Sequence, residues 1–300
     1  MAYTQDQLDR YLQHINYPRS QHPHDALQRL KQLTARQISS VPFESFALHY
    51  SQHKLLSLDP EALYEKIVVH GKGGYCMELN AFFGGILRAL GYQLVNAGGR
   101  VKTPAGWTGW SHMVNIVTID NVKYNVDVGF GTWEPMQPIP LQDNHTFTQI
   151  APRLGKLEYR SISQHSDPSQ RVWVYSTQED PSAPWEERNM FVETEFFQAD
   201  YEAMNLSTMS APTSFFVQNV IGMRGILDED TAKVDGVYTL FGNKVKRHMR
   251  NAEAEVVAEL ETEDERVRAI EEYFGVRLSA LERRGIRGLA TELKPKPNMG

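Results

Sequence analysis

Cysteine is scarce in this chain, because Cys76 is the only one among its 300 residues. A single cysteine excludes an internal disulfide and any zinc site built from several thiolates. It also fits a reducing compartment, so we expect a cytoplasmic protein. Because Cys76 and the nearby His112 supply too few obvious ligands, the sequence predicts no metal site.

Long apolar runs are also missing, and the first residues do not have the pattern expected of a secretory leader. The most apolar segment, 81–90, is too short to span a bilayer and contains Arg88. The N-terminus shows a capping-box pattern at Thr4 and Gln7, followed by apolar residues at helical spacing. We therefore expect neither a membrane segment nor a signal peptide.

The chain has no excess of positive charge. Its 31 Lys and Arg residues against 37 Asp and Glu residues give a formal net charge of −6. Nucleic-acid binding needs clustered cations, so nucleic acid is not an expected partner, and no obligate protein partner is evident. What remains is the composition of a globular protein, 41% hydrophobic and 23% charged.

Hydrophobic spacing changes along the chain and predicts the fold class α+β. Residues 1–95 have helical periodicity, and 96–200 contain short strands typical of an antiparallel barrel or sandwich. Residues 201–300 mix the two kinds of element, with a strand expected around 215–220 and a loose tail from Lys294 onward. These three ranges are the expected domains.

Chemistry is indicated around Cys76, which follows two glycines and begins a predicted helix. A thiolate is the reactive form of cysteine, and helix N-termini or nearby imidazolium groups favour it. Downstream, His112 and Asp127 lie on the two arms of a predicted hairpin. A thiol, an imidazole and a carboxylate are what an activated cysteine nucleophile requires.

The hairpin can be argued from its turn, Asp120-Asn121. With a two- or four-residue loop centred there, opposed residues sum to 241, so Asp127 faces Val114. His112 then lies on the same face, diagonal to Asp127, at about 7–8 Å between backbones. That distance allows the two side chains to meet, whereas a three-residue loop would place them on opposite faces.

The residue types alone leave several interpretations open. A lone cysteine is more often a small buried apolar residue than a nucleophile. A cysteine hydrolase or a transglutaminase-like enzyme would use the same three residue types in the same order. A binding protein that retains the arrangement without activity is a further alternative.

Four motifs in the same order resemble the arylamine N-acetyltransferase family. The segment around the cysteine is Lys72-Gly73-Gly74-Tyr75-Cys76-Met77-Glu78-Leu79-Asn80, with lysine where the family usually has arginine. The others are Val41-Pro42-Phe43-Glu44, Gly109-Trp110-Ser111-His112-Met113 and Asp127-Val128-Gly129-Phe130-Gly131. The residues of these motifs are most similar to those of members from filamentous fungi.

The resemblance implies a helical domain, a β-barrel and an α/β lid, with a cysteine-protease-like arrangement of Cys76, His112 and Asp127. These three residues would be catalytic, with Cys76 carrying the acyl group in a ping-pong reaction. The donor would be acetyl-coenzyme A or another acyl-coenzyme A, used as a cosubstrate, with no tightly bound cofactor. The acceptors would be arylamines, hydrazines or arylhydroxylamines, as in xenobiotic metabolism.

The same resemblance implies two groups of binding residues. Residues expected at the substrate are Phe43, Trp110 and Phe130, although either phenylalanine could equally be an ordinary core aromatic. Residues expected at coenzyme A are Thr108, Gly109, Thr213 and Ser214.

The acyl donor is a separate question from the family. Acetyl is the family default, and the alternative is a malonyl group, as used by some fungal relatives. A malonyl group adds a carboxylate, which would need a cation or a polar pocket. The cations nearest to the motifs in the sequence are Lys72, Arg100 and Lys102.

Overall fold

The computed structural model describes residues 3–294, so nearly all of the expected tail lies outside the described residues. The helices are α1 (Gln5–His14), α2 (Ala26–Ser40), α3 (Phe46–Tyr50), α4 (Pro60–Tyr64), α5 (Cys76–Ala89), α6 (Gln198–Ser210), α7 (Phe215–Gln218) and α8 (Glu263–Phe274). Asp59 caps α4 before Pro60, and Thr262 and Glu265 form a capping box on α8.

The strands form two antiparallel sheets. Those of the first half are β1 (Phe43–Glu44), β2 (Gln93–Thr103), β3 (Gly106–Trp107), β4 (His112–Ile119), β5 (Val122–Val126), β6 (Ile139–Pro140) and β7 (His145–Thr148). The remainder are β8 (Leu154–Arg160), β9 (Val172–Gln178), β10 (Glu186–Glu195), β11 (Ile221–Asp228), β12 (Lys233–Phe241), β13 (Lys244–Met249) and β14 (Glu255–Glu259).

The larger sheet is a nearly closed antiparallel barrel, in the order β6-β5-β4-β2-β10-β9-β8-β7, with β3 paired to β2. One face of these strands is apolar. The side chains of this face pack against one another inside the curled sheet. The buried cluster inside it consists of Ala97, Val114, Ile116, Ile139, Leu157, Trp173, Tyr175 and Phe191. The α+β fold class with a central barrel is confirmed.

The smaller sheet has the order β1-β11-β12-β13-β14. Helix α8 packs on it through Ile270 and Phe274, in one buried cluster with Leu240 and Val245 from the sheet. Strand β1 comes from the N-terminal third of the chain and pairs with β11, with Phe43 opposite Met223. The first and third expected sequence ranges therefore share one sheet.

The strand expected around 215–220 is wrong, because Phe215–Gln218 form one helical turn instead. The run of aromatic and β-branched residues favours a strand by propensity. The amides of Val217 and Gln218 donate to the Ser214 carbonyl, and Phe216 packs edge-on against Tyr75. Tertiary packing of this aromatic ring outweighs the local preference, and strand β11 begins only at Ile221.

The predicted hairpin register is confirmed. Strands β4 and β5 pair with Asn115 opposite Val126 and Ile119 opposite Val122, so opposed residues sum to 241. The two-residue turn places Asp120 at φ 48° and Asn121 at φ 63°, as a type I′ turn requires. Within residues 3–294, no helix is long and apolar enough to cross a bilayer.

Candidate active site

The cysteine lies at the N-terminus of helix α5, as the sequence predicts. The segment before the cysteine packs closely at Gly73, where only glycine fits because a Cβ would lie 1.8 Å from the Pro42 carbonyl oxygen. The start of the helix is tied down by Glu78, whose Oε2 accepts from the Tyr75 amide at 3.2 Å. The other oxygen of this buried carboxylate accepts from Lys66 Nζ at 2.6 Å, so the carboxylate is paired.

The imidazole of His112 is shared between two neighbours. Its Nε2 lies 2.7 Å from Oδ2 of Asp127, and both side chains are buried. Burial alone would lower the pKa of His112, but the Asp127 carboxylate and the neighbouring Cys76 sulfur raise that pKa above its ordinary value. The second nitrogen, Nδ1, makes no hydrogen bond within residues 3–294, which leaves it available to the thiol.

The carboxylate of Asp127 is fixed from its other side as well. Its Oδ1 accepts from Asn80 Nδ2 at 2.9 Å and from the Gly129 amide at 3.0 Å. Asn80 also donates to the Met113 carbonyl and accepts from the Val128 amide, so its amide side chain is fully used. These hydrogen bonds hold the carboxylate in its orientation toward the ring.

The sulfur itself contacts the strand that carries the histidine. Cys76 Sγ lies 3.7 Å from the Ser111 carbonyl oxygen, and the cysteine is only 4% exposed. The ring of Phe130 packs edge-on against the His112 ring, with 4.9 Å between centroids. The thiol thus lies beside the start of the strand that carries His112, whose imidazole is bound to the Asp127 carboxylate, an arrangement suited to forming a thiolate.

A cleft of about 550 Å³ lies between the barrel and the smaller sheet. Two predicted substrate residues, Phe43 and Phe130, line it together with Met223 and Lys246. Trp110 is not among the described residues that line this cleft. Trp110 is 36% exposed, and its ring lies against the guanidinium of Arg100.

Comparison with known proteins assigns the chain to a family. Residues 26–283 match a family model described as N-acetyltransferase. The chain belongs to the arylamine N-acetyltransferase family. It is 35% identical to the N-malonyltransferase FDB2 of Gibberella moniliformis, over 95% of this chain and 92% of that protein. It is 28% identical to arylamine N-acetyltransferase 2 of Mesocricetus auratus, over 70% of this chain and 74% of that enzyme.

Solved structures of the family have the same fold. The arylamine N-acetyltransferase of Mycobacterium marinum in complex with CoA has a TM-score of 0.77 and 26% identity, covering 93% of this chain and 96% of that one. The enzyme of Mycobacterium abscessus has a TM-score of 0.79 at 24% identity, covering 93% and 94%. This arylamine N-acetyltransferase family member is thus an acyltransferase.

The residues expected at coenzyme A lie on two segments beside the site. Thr108 Oγ1 contacts Ser111 Oγ at 2.7 Å and accepts from the Val101 amide, so it shapes the turn that includes Gly109. Ser214, preceded by Thr213, stands just before helix α7, whose Phe216 contacts Phe43 and Tyr75.

Two residues of the site were missed by sequence reasoning. Asn80 belongs to the cysteine motif and lies four residues after Cys76, on the same helix face, which was the signal for a shared role. Glu134 is fully buried, and its Oε2 accepts from the Phe130 amide at 3.1 Å. Burial and the nearby Asp127 carboxylate raise the pKa of Glu134, and nothing in its loop sequence indicates this.

Proposed function

We propose that this enzyme transfers an acyl group from acyl-coenzyme A to arylamines, hydrazines or arylhydroxylamines through an acyl-cysteine on Cys76. The observation that carries the proposal is the buried thiol at the start of α5 beside the His112 ring, which Asp127 orients. The lone thiol suits the reducing cytoplasm, where we propose that the enzyme acts on amine xenobiotics.

In the first step, the thiolate of Cys76 attacks the thioester carbonyl. The bond between that carbon and the coenzyme sulfur breaks, and free coenzyme A leaves with a proton from His112. Asp127 holds the imidazole in the required tautomer and stabilises its cationic form. Backbone N–H groups at the start of α5 stabilise the oxyanion, at roughly 2.7–4 kcal/mol for each donor.

In the second step, the nitrogen of the amine attacks the acyl-cysteine and the carbon–sulfur bond breaks. The nitrogen loses a proton to His112, and the thiol is restored for another cycle. Weakly basic arylamines suit this step because they are neutral at pH 7, whereas alkylamines are mostly protonated. Phe43 and Phe130, which line the cleft, would enclose the aromatic ring of the acceptor.

The donor has two candidates. Acetyl is the first, and malonyl is the second, favoured by the 35% identity to an N-malonyltransferase along nearly the whole chain. Turnover of one arylamine with acetyl-, propionyl- and malonyl-coenzyme A at equal concentrations would rank them. A kcat/KM at least about tenfold higher for one donor would correspond to about 1.4 kcal/mol of selectivity.

The test of the mechanism is Cys76→Ala. We expect acyl transfer to fall at least about a thousandfold, because the nucleophile is gone. Intact-mass spectrometry should show one added acyl group on the wild type after incubation with acyl-coenzyme A, and none on the variant. Unchanged circular dichroism would show that the fold survives, and full coenzyme-dependent activity in Cys76→Ala would refute the proposal.

A hydrolase with the same three residues is separated by its acceptor. The wild type is acylated with p-nitrophenyl acetate, and an arylamine is then added. We expect the amine to capture the acyl group and to accelerate turnover, with N-acylated product detected by chromatography. Release of acetate at a rate that the amine does not change would instead identify a hydrolase.

A further inference from the structure

Three cations lie close in sequence to the site motifs, and the structure separates them by their partners. Lys72 pairs with Glu282, and Lys102 Nζ lies 2.7 Å from a carboxylate oxygen of Glu187. Arg100 has no acidic side chain within salt-bridge distance among residues 3–294. Since Lys72 and Lys102 are neutralised by carboxylates, Arg100 is the one of the three that keeps its charge available for a ligand.

The guanidinium of Arg100 is held in a defined position despite lacking an anion. It lies over the Trp110 ring, 4.2 Å from the centroid, and one of its nitrogens donates to the Thr108 carbonyl at 2.9 Å. A guanidinium has five N–H donors, so this single hydrogen bond leaves a free edge. Such a stacked, planar fork matches the paired oxygens of a carboxylate or phosphate.

The position of Arg100 connects it with the nucleophile. The residue before it, Gly99, is paired with His112, and the Gly99 carbonyl accepts from the Ser111 amide at 3.1 Å. The Ser111 carbonyl in turn lies 3.7 Å from Cys76 Sγ. Trp110, on which Arg100 is stacked, directly precedes Ser111. An anionic oxygen of the acyl donor could reach Arg100 if the donor approached Cys76 along the turn at 108–111.

We propose that Arg100, stacked on Trp110, is the anion-binding residue for the acyl donor, a statement that rests on the proposed function above. The anion is either the free carboxylate of a dicarboxylic acyl group such as malonyl or a phosphate of coenzyme A. Both present oxygens to the same guanidinium edge. This assigns Trp110 to the donor side of the site, apart from the cleft that Phe43 and Phe130 line.

The test is Arg100→Gln, which removes the charge and keeps a planar amide that can stack and donate. We measure kcat/KM with malonyl-coenzyme A, acetyl-coenzyme A and S-acetyl-N-acetylcysteamine, a thioester without phosphates. If Arg100 binds the acyl carboxylate, malonyl-coenzyme A loses about tenfold to a hundredfold relative to acetyl-coenzyme A. If it binds a phosphate, both coenzyme A donors lose that factor relative to the short thioester.

Two controls keep the outcome clear. Lys102→Gln removes a charge two residues along the same strand, and its pairing with Glu187 predicts unchanged ratios among the donors. Arg100→Lys retains the charge without the planar fork and should lie between wild type and Arg100→Gln. The unfolding temperature of each variant shows whether the fold is intact.

Two results would overturn the assignment: losses under threefold with every donor, or the same loss with all three donors. The second would mean that Arg100 supports the site only structurally. Failure of the proposed function would appear differently, as a wild-type enzyme that forms no acyl-cysteine with any donor.

Discussion

At the scale of single residues, the site depends on the different roles of the two nitrogens of the His112 ring. Nε2 is hydrogen-bonded to Asp127, whereas Nδ1 has no hydrogen-bond partner among residues 3–294 and remains available to the thiol. Asn80 holds the second oxygen of the same carboxylate, so the orientation of the ring is set by a residue on the nucleophile's own helix. Cysteine and histidine are thereby positioned by one connected set of contacts.

The raised pKa of His112 predicts a pH dependence. A raised pKa keeps the imidazole protonated above pH 6.5, its ordinary value, so the Cys76 sulfur has an imidazolium as its neighbour at neutral pH. Asp127→Asn removes a major contribution to that rise, and burial then lowers the pKa of His112. We expect alkylation of Cys76 by iodoacetamide to vary little from about pH 6 to 8 in the wild type.

In Asp127→Asn, the same alkylation should be at least about tenfold slower at pH 7 and should accelerate as the pH rises, because thiolate formation then depends on hydroxide. Cys76→Ala provides the background rate of labelling. Superimposable pH profiles for wild type and Asp127→Asn would show that the carboxylate does not control the charge of His112.

At the scale of elements, the start of helix α5 and the turn after β5 approach so closely that only glycine fits between them. A Cβ on Gly129 would lie 2.7 Å from Cys76 Cα and 2.9 Å from Asn80 Nδ2. This contact brings the carboxylate of Asp127, two residues earlier, to the helix that carries the thiol. The spacing of the two elements is therefore set by backbone contact.

Gly129→Ala should separate these elements. We expect a cost of about 1–3 kcal/mol in the free energy of unfolding from overpacking. We also expect a loss of kcat of at least about tenfold, because Asp127 moves relative to the helix. Thermal unfolding and steady-state kinetics measure the two effects.

Gly109→Ala is the matched control for stability, because a Cβ there meets nothing within 4 Å. Its unfolding temperature should remain that of the wild type. If Gly129→Ala were as stable and as active as the wild type, the close approach would not matter for the site.

At the scale of the whole molecule, the first and third regions are joined by shared structure. Strand β1 belongs to the sheet that β11 to β14 form, and the ring of Phe216 contacts both Phe43 and Tyr75. Lys72, just before the cysteine, pairs with Glu282 near the end of the described chain. The first and third expected ranges are therefore not structurally separate, and the boundaries of all three ranges remain a proposal.

This sharing predicts cooperative unfolding. We expect a single thermal transition, with equal calorimetric and van't Hoff enthalpies and coincident near- and far-ultraviolet circular dichroism curves. The physical reason is that melting the smaller sheet removes the pairing partner of β1 and uncovers Phe46 and Tyr50. Two separated transitions would indicate that the barrel and the smaller sheet are stable independently.

Much of the fold and site follows from local sequence. The two-residue turn at Asp120-Asn121 determines the register of β4 and β5, and that register alone places His112 and Asp127 on one face. The helix at Cys76 is equally local, since glycines before it and apolar spacing after it suffice. Hydrogen-bond geometry and side-chain periodicity act over a few residues and can be read along the chain.

Other features were decided only by the tertiary structure. Carboxylates distant in sequence, Glu282 and Glu187, neutralise Lys72 and Lys102, which is why Arg100 stands apart. Packing of Phe216 against Tyr75 stabilises a helical turn where propensity favours a strand. Folding also buries Glu134 near the Asp127 carboxylate. Charge pairing, burial and ring packing depend on segments that meet only after folding, so no local pattern could specify them.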